Sequence, residues 1–295
     1  MKNTIFEGAA TALVTPMTEK GVDYENLAKL IEFQIRDGIS ALVIVGTTGE
    51  GSTLSDEEHR DVISFAVKQT NGRVPVIAGT GSNDTKYAIE LSQHACEAGA
   101  DALLVVTPYY NKATQKGLIR HFTAIADAVD KPIIMYNVPS RTGCNIKPET
   151  VNVLADHPRI VGLKEASGDL SQVATVAALC RDRIDIYSGN DDQILPVLSL
   201  GGKGVISVLS NVVPGETDAI CKKFFEGKNE EAKELQLRLL PLIHDLFCEV
   251  NPIPVKAAMA AMGYGENYLR MPLTPMEETN EKHLLGEMKK LNIIK

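Results

Sequence analysis

The chain has 295 residues, is 44% hydrophobic and carries a net charge of −8, with a pI near 5.4. It is long enough to bury a full core. Its acidity, with no basic cluster longer than a pair such as Lys222-Lys223, argues against nucleic acid or an anionic membrane surface as partner. The five cysteines are scattered, odd in number and free of any CxxC, which speaks against a disulfide framework or a cysteine zinc site and suits a reducing cytoplasm. Thr4, Glu7, Thr11 and Thr15 interrupt any apolar leader run, and no window approaches the length of a membrane span, so a cytoplasmic location is expected.

In chain order one unit recurs: a short apolar run rich in β-branched residues, a polar loop, then a segment of helical period. The runs are Ala9 to Thr15, Ala41 to Gly46, Val74 to Gly79, Ala102 to Thr107, Pro132 to Asn137, Ile160 to Glu165, Ile184 to Gly189 and Gly204 to Leu209. Helix starts are marked by Ser55 before Asp56-Glu57-Glu58, by Asn83 and by Asp169, and helix stops by Gly38, Gly72 and Gly99. Eight such βα units with strands apolar on both faces predict an α/β fold of the closed parallel (β/α)8, or TIM, barrel type. An open dinucleotide-binding sheet is disfavoured, because Gly79-Thr80-Gly81 lacks the third glycine of that fingerprint. Beyond the barrel at 1–226, residues 227–295 predict a C-terminal helical domain: Glu230 to Glu249, a break at Pro252 and Pro254, then Val255 to Met262 and Glu277 to Leu291. It either covers the barrel or supports an oligomer contact.

Active sites of such barrels lie at the C-terminal ends of the strands. The polar residues there are Thr15, Thr47-Thr48-Gly49-Glu50, Thr107-Pro108-Tyr109-Tyr110, Tyr136-Asn137, Lys164, Gly189-Asn190 and Ser207. No histidine or carboxylate cluster stands among them, so neither a metal nor another cofactor is expected, and a Ser-His-Asp hydrolase is disfavoured. What remains is a lysine with phenols and hydroxyls. On its strand Lys164 shares a face with Gly162 and Ala166, which predicts open space around one ammonium. A solvated lysine is neutral in only on the order of 1 in 2,500 molecules at pH 7, so burying it makes an amine nucleophile for carbonyl chemistry. Tyr136, one strand earlier, is placed to shuttle protons if the neighbouring cation lowers its pKa, with Thr48 and Tyr110 extending the relay. The glycine-flanked loop from Gly46 to Gly51 suits a small carboxylate, and Arg141 suits a second one.

The stretches GTTGEGSTL at 46–54, TPYYNKATQKGL at 107–118, MYNVPSRTG at 135–143 and GLKEASGD at 162–169 closely resemble those of the 4-hydroxy-tetrahydrodipicolinate (dihydrodipicolinate) synthases, over essentially the whole chain. The resemblance implies a class I aldolase-type lyase that condenses pyruvate with aspartate semialdehyde in the diaminopimelate route to lysine. Lys164 would form the imine, and Tyr136 would donate and accept protons. Thr47 or Thr48 would hold the pyruvate carboxylate, with Thr48 linking Tyr136 to Tyr110 supplied across a dimer interface. Arg141 would take the semialdehyde carboxylate, Ile206 and Gly189 would border pyruvate, and the assembly would be a dimer of dimers. N-acetylneuraminate lyases and keto-deoxy-sugar-acid aldolases share the imine lysine, and they are the alternative that Arg141 discriminates against. The resemblance also implies an effector pocket for lysine. His59, Asn83 and Tyr109 match it, but Asp56 stands for a histidine and Tyr87 for a glutamate, so weak or absent feedback inhibition is expected.

Overall fold

The computed structural model describes residues 3–295. Eight parallel strands close into a barrel: β1 (Gly8–Ala12), β2 (Ala41–Ile44), β3 (Val76–Gly79), β4 (Ala102–Val106), β5 (Ile133–Asn137), β6 (Ile160–Glu165), β7 (Asp185–Ser188) and β8 (Gly204–Ser207). β8 returns beside β1, with Gly8 opposite Gly204. A Cβ on Gly204 would lie 1.8 Å from the Gly8 carbonyl oxygen, so this seam closes only with glycine there.

Alternation along each strand divides the apolar residues between two cores. In β2, Ala41 and Val43 point into the bore, while Leu42 and Ile44 join the layer between sheet and helices. The bore is sealed from below by Tyr187, whose ring stacks on Phe6 at 4.3 Å between centroids and whose hydroxyl donates to the Phe6 carbonyl at 3.0 Å.

Most strands stop short of the apolar runs that mark them. Thr15, Gly46, Thr107, Gly189 and Leu209 lie past the strand ends and form the rim. There the chain trades sheet hydrogen bonds for local ones: the Thr15 hydroxyl donates to the Gly49 carbonyl at 2.7 Å. The helix signals behave as their chemistry dictates. Ser55 and Glu58 form a reciprocal capping box on helix Asp56–Thr70, and Asp169 caps Leu170–Cys180. The cap of Thr85–Glu97 is Asp84, one residue after Asn83, because its carboxylate accepts the Lys86 N–H. The hairpin of Met17–Thr18 with Gly21–Val22 carries too few apolar residues to register as strands in the sequence.

After Pro214–Phe225 come three further helices, Asn229–Leu246, Ile253–Ala261 and Glu278–Lys290. Pro252 and Pro254 open the second of these rather than merely ending the first, since the missing N–H of proline costs nothing in the first helical turn. None of the described helices is long and apolar enough to cross a membrane. This extension folds back over the barrel rim. Lys256 Nζ meets Glu50 Oε1 at 2.5 Å with both side chains at most 2% exposed. Arg270 clasps Glu58 with two bonds of 2.5 and 2.6 Å, and Gln236 donates to the Asp191 carbonyl at 2.8 Å.

Removing one member of a fully buried ion pair strands the other charge in a low-dielectric site. Lys256→Met or Glu50→Gln alone is therefore expected to cost about 3 to 5 kcal/mol of unfolding free energy, and the double variant to recover much of that loss. Urea titration of the three variants checks it; additive losses would show that the pair is not coupled.

Candidate active site

Lys164 is the last residue but one of β6, with its Cα opposite Tyr136 on β5 and Tyr187 on β7. Its inward direction is enforced from behind, because the next side chain must point outward. Glu165 is held there by Asn137 Nδ2 at 3.0 and 3.1 Å, by Gln172 Nε2 at 3.0 Å and by the Ser167 N–H at 2.7 Å. The space expected beside Gly162 is not open. A Cβ on Gly162 would come within 3.0 Å of Ile134 and 3.4 Å of the Tyr187 ring, so these side chains close the floor. Free volume lies above, on the Ala166 side.

Lys164 is 6% exposed, and its Nζ sits 4.4 Å from the centroid of the Tyr136 ring. Burial brings its pKa down to about 8; the Asp191 carboxylate pushes it back up and the Arg141 guanidinium pulls it down further. The Tyr136 pKa moves opposite to expectation. Burial raises it, and that outweighs the lowering by Arg141 and the Thr47 hydroxyl, so the phenol keeps its proton and is a donor.

Above Lys164 opens a cavity of about 550 Å³, bordered by Thr47, Thr48, Tyr136, Arg141, Gly189 and Asn251. A second cavity of about 370 Å³ shares Gly46, Thr47, Tyr136 and Arg141 with it, and runs outward past His59, Tyr87 and Tyr109. The two threonines sit on a tight turn. Val45, with φ of 51°, and Glu50, with φ of 53°, are left-handed, a strained state for a β-branched residue. A Cβ on Gly51 would lie 2.4 Å from the Val45 carbonyl oxygen. The turn separates the two hydroxyls: Thr48 is 3% exposed and accepts from Asn251 Nδ2 at 3.0 Å, whereas Thr47 interacts with the Tyr136 phenol. Both threonines border the cavity with Tyr136; the Thr47 hydroxyl is the one that acts on the Tyr136 phenol, while that of Thr48 is engaged by Asn251.

Arg141 lies on the single turn Pro139–Thr142, its Nη2 donating to the Asn251 carbonyl at 3.0 Å. Gly189 packs against β6, where a Cβ would lie 2.6 Å from that of Ala166, and its N–H donates to the Glu165 carbonyl at 2.8 Å. Ile206 is packed in the bore, and Val208 supplies the cavity wall at that strand. Tyr110 stands apart. It is 91% exposed, with φ of 69°, and its ring is turned away from its own chain.

Of the expected effector residues, His59, Tyr87 and Tyr109 line the outer cavity, while Asp56 and Asn83 stand behind Tyr87 and Tyr109. His59 Nε2 bonds the Gly79 carbonyl at 2.8 Å, and burial lowers its pKa. The Tyr87 hydroxyl donates to Asp56 at 2.9 Å, Arg60 pairs with the same carboxylate at 2.9 Å, and Asn83 Nδ2 donates to the Tyr109 carbonyl at 3.2 Å.

Asp191 and Asn251 escaped the sequence reading. Asp191 is 2% exposed, and its Oδ2 accepts the N–H groups of Val208 and Leu209 at 3.0 and 2.9 Å; it stands two residues past Gly189, a signal within reach. Asn251 is 87 residues from Lys164, and nothing local points to it.

Residues 5–291 match the Dihydrodipicolinate synthetase family. The chain is 56% identical to the 4-hydroxy-tetrahydrodipicolinate synthase of Clostridium perfringens, over 99% of this chain and 100% of that protein. It is 57% identical to the protein of the same name from Lachnoclostridium phytofermentans, over 98% and 99%. Among solved structures, the dihydrodipicolinate synthase of Aquifex aeolicus superposes with a TM-score of 0.96 at 46% identity, covering 98% of this chain and 99% of that one. A closed barrel with a buried lysine at the end of its sixth strand, and these matches along nearly its whole length, make the chain a member of the dihydrodipicolinate synthetase family.

Proposed function

We propose that the chain condenses pyruvate with L-aspartate 4-semialdehyde to 4-hydroxy-tetrahydrodipicolinate, in the diaminopimelate route to lysine, as a class I aldolase-type lyase working in the cytoplasm. The observation that carries this is the lysine amine held near a pKa of about 8 beneath a cavity that also contains Arg141. At pH 7 roughly one such amine in ten is neutral, about two orders of magnitude more than for a solvated lysine. The neutral Lys164 nitrogen adds to the keto carbon of pyruvate. Tyr136, still protonated, donates to the departing hydroxyl as water leaves and the imine forms. The Tyr136 phenolate left by that step takes a methyl proton to give the enamine, whose carbon attacks the aldehyde; the amine of the semialdehyde then adds to the imine carbon and displaces the Lys164 nitrogen as the ring closes. Thr47, beside the Tyr136 phenol, passes protons onward; Thr48 serves the pyruvate carboxylate and Arg141 that of the semialdehyde. Gly189 borders the keto acid, with Val208 rather than Ile206 in the cavity wall beside it.

Tyr110 fits this scheme only in a second copy. Its exposed ring and left-handed backbone suit insertion into a partner's outer cavity, which makes the functional unit at least a dimer; we propose a dimer of dimers. At the effector pocket the Asp56 carboxylate is already shared by Arg60 and Tyr87, so it is not free to replace the glutamate that Tyr87 displaces.

Three outcomes are expected. Borohydride reduction with pyruvate gives one adduct on Lys164, and its rate at subsaturating pyruvate rises about tenfold per pH unit before levelling near pH 8; absence of the adduct in peptide mass mapping overturns the proposal. Arg141→Leu raises the half-saturating semialdehyde concentration roughly ten- to hundredfold in a coupled assay while the pyruvate adduct still forms. An unchanged value removes Arg141 from the site, and turnover of N-acetylmannosamine instead of the semialdehyde moves the protein to the sugar-acid lyases. Free lysine inhibits weakly or not at all, because the missing charge-assisted bond is worth about 1.5 to 3 kcal/mol; half-inhibition at submillimolar lysine contradicts this.

A further inference from the structure

The turn joining helices Asn229–Leu246 and Ile253–Ala261 supplies Phe247, Glu249, Val250 and Asn251 to the wall of the cavity above Lys164. Of these four, Asn251 alone is buried, at 6% exposure. Its Nδ2 donates to Thr48 Oγ at 3.0 Å, its main-chain carbonyl accepts from Arg141 Nη2 at 3.0 Å, and its Oδ1 is buried with no hydrogen-bond partner among the described residues.

An amide NH2 can only donate, so Thr48 Oγ is an acceptor on the Asn251 side, and its single proton must turn elsewhere. Among the described residues the Thr48 hydroxyl donates to no protein acceptor, and it borders the cavity. As the structure places the amide, the Thr48 proton is left for the cavity; the opposite orientation would take that proton onto the amide oxygen. An orphaned oxygen is itself a penalty that an apolar side chain of similar size would avoid. The amide is therefore better explained by what its nitrogen does than by packing.

We propose that Asn251 is a positioning residue that presets the Thr48 hydroxyl as a hydrogen-bond donor to the carboxylate of the keto acid on Lys164. The inference rests on Lys164 taking pyruvate as proposed above. Through its carbonyl the same residue orients Arg141, so one turn of the C-terminal extension aligns the groups meant for both carboxylates.

The test is a double-variant cycle on the full-length protein, reading the pyruvate concentration that gives half-maximal borohydride trapping at Lys164, with melting curves for each variant. Asn251→Asp, which keeps shape but accepts the Thr48 proton and sets a negative charge beside the substrate carboxylate, is expected to raise that concentration at least about tenfold, and Asn251→Leu about three- to tenfold. Trapping at saturating pyruvate stays complete in both. In a Thr48→Val background, Asn251→Leu is expected to add less than about twofold. Should the Leu variant not fold, the isosteric Asp variant carries the test alone. Unchanged half-saturation in Asn251→Asp, or a full effect of Asn251→Leu without the Thr48 hydroxyl, overturns the inference while a wild-type adduct leaves the pyruvate reading standing. No adduct in the wild type removes both.

Discussion

Keeping one lysine amine out of water is the constraint on which the rest of this structure depends. With a native pKa of about 8 against an ordinary value of 10.5, the group binds fewer protons folded than unfolded, so its burial lowers stability at neutral pH by about 3 kcal/mol. The sign follows from linkage: stability rises with pH between the two values, and below the native one the penalty is present in full. The fold tolerates that cost because the surroundings are over-determined. Four hydrogen bonds hold Glu165 on the outer face, the Tyr187 ring and Ile134 fill the space beside Gly162, and Asp191 supplies a negative charge that stops the pKa from falling further.

The C-terminal extension belongs to the site as much as to the fold. Lys256 and Arg270 carry it onto Glu50 and Glu58, which lie in and just after the strained turn bearing Thr47 and Thr48. The extension thereby braces a turn whose backbone is partly left-handed and lays Asn251 against both Thr48 and Arg141. A barrel without it would keep Lys164 and Tyr136 but would lose one wall of the cavity. The buried Lys256–Glu50 pair is a costly way to hold two elements together compared with apolar packing, and it also fixes which residues of the extension face the rim.

Much of this was legible in the sequence, because the signals involved are local. Apolar runs at regular spacing follow from strands buried on both faces, and capping residues and helix-ending glycines follow from unsatisfied backbone groups at helix ends. From eight such units the barrel follows, and from the barrel the rule that strand ends carry the chemistry. That chain of reasoning reaches Lys164, Tyr136, the Thr47-Thr48 turn and Arg141 without any coordinates.

Tertiary structure alone decided the rest, for three physical reasons. Which of two adjacent threonines meets Tyr136 depends on backbone angles in a turn, which residue types leave open. The direction of the Tyr136 pKa depends on the balance between burial and nearby charge, and burial is a property of the whole fold. Asn251 and Lys256 reach the rim from more than 200 residues beyond Thr48 and Glu50, and no sequence period carries information across that distance. The sequence determined a buried amine at a strand end; packing determined how deeply it is buried, which hydroxyls attend it and what covers it, because those are set by contacts between segments far apart in the chain.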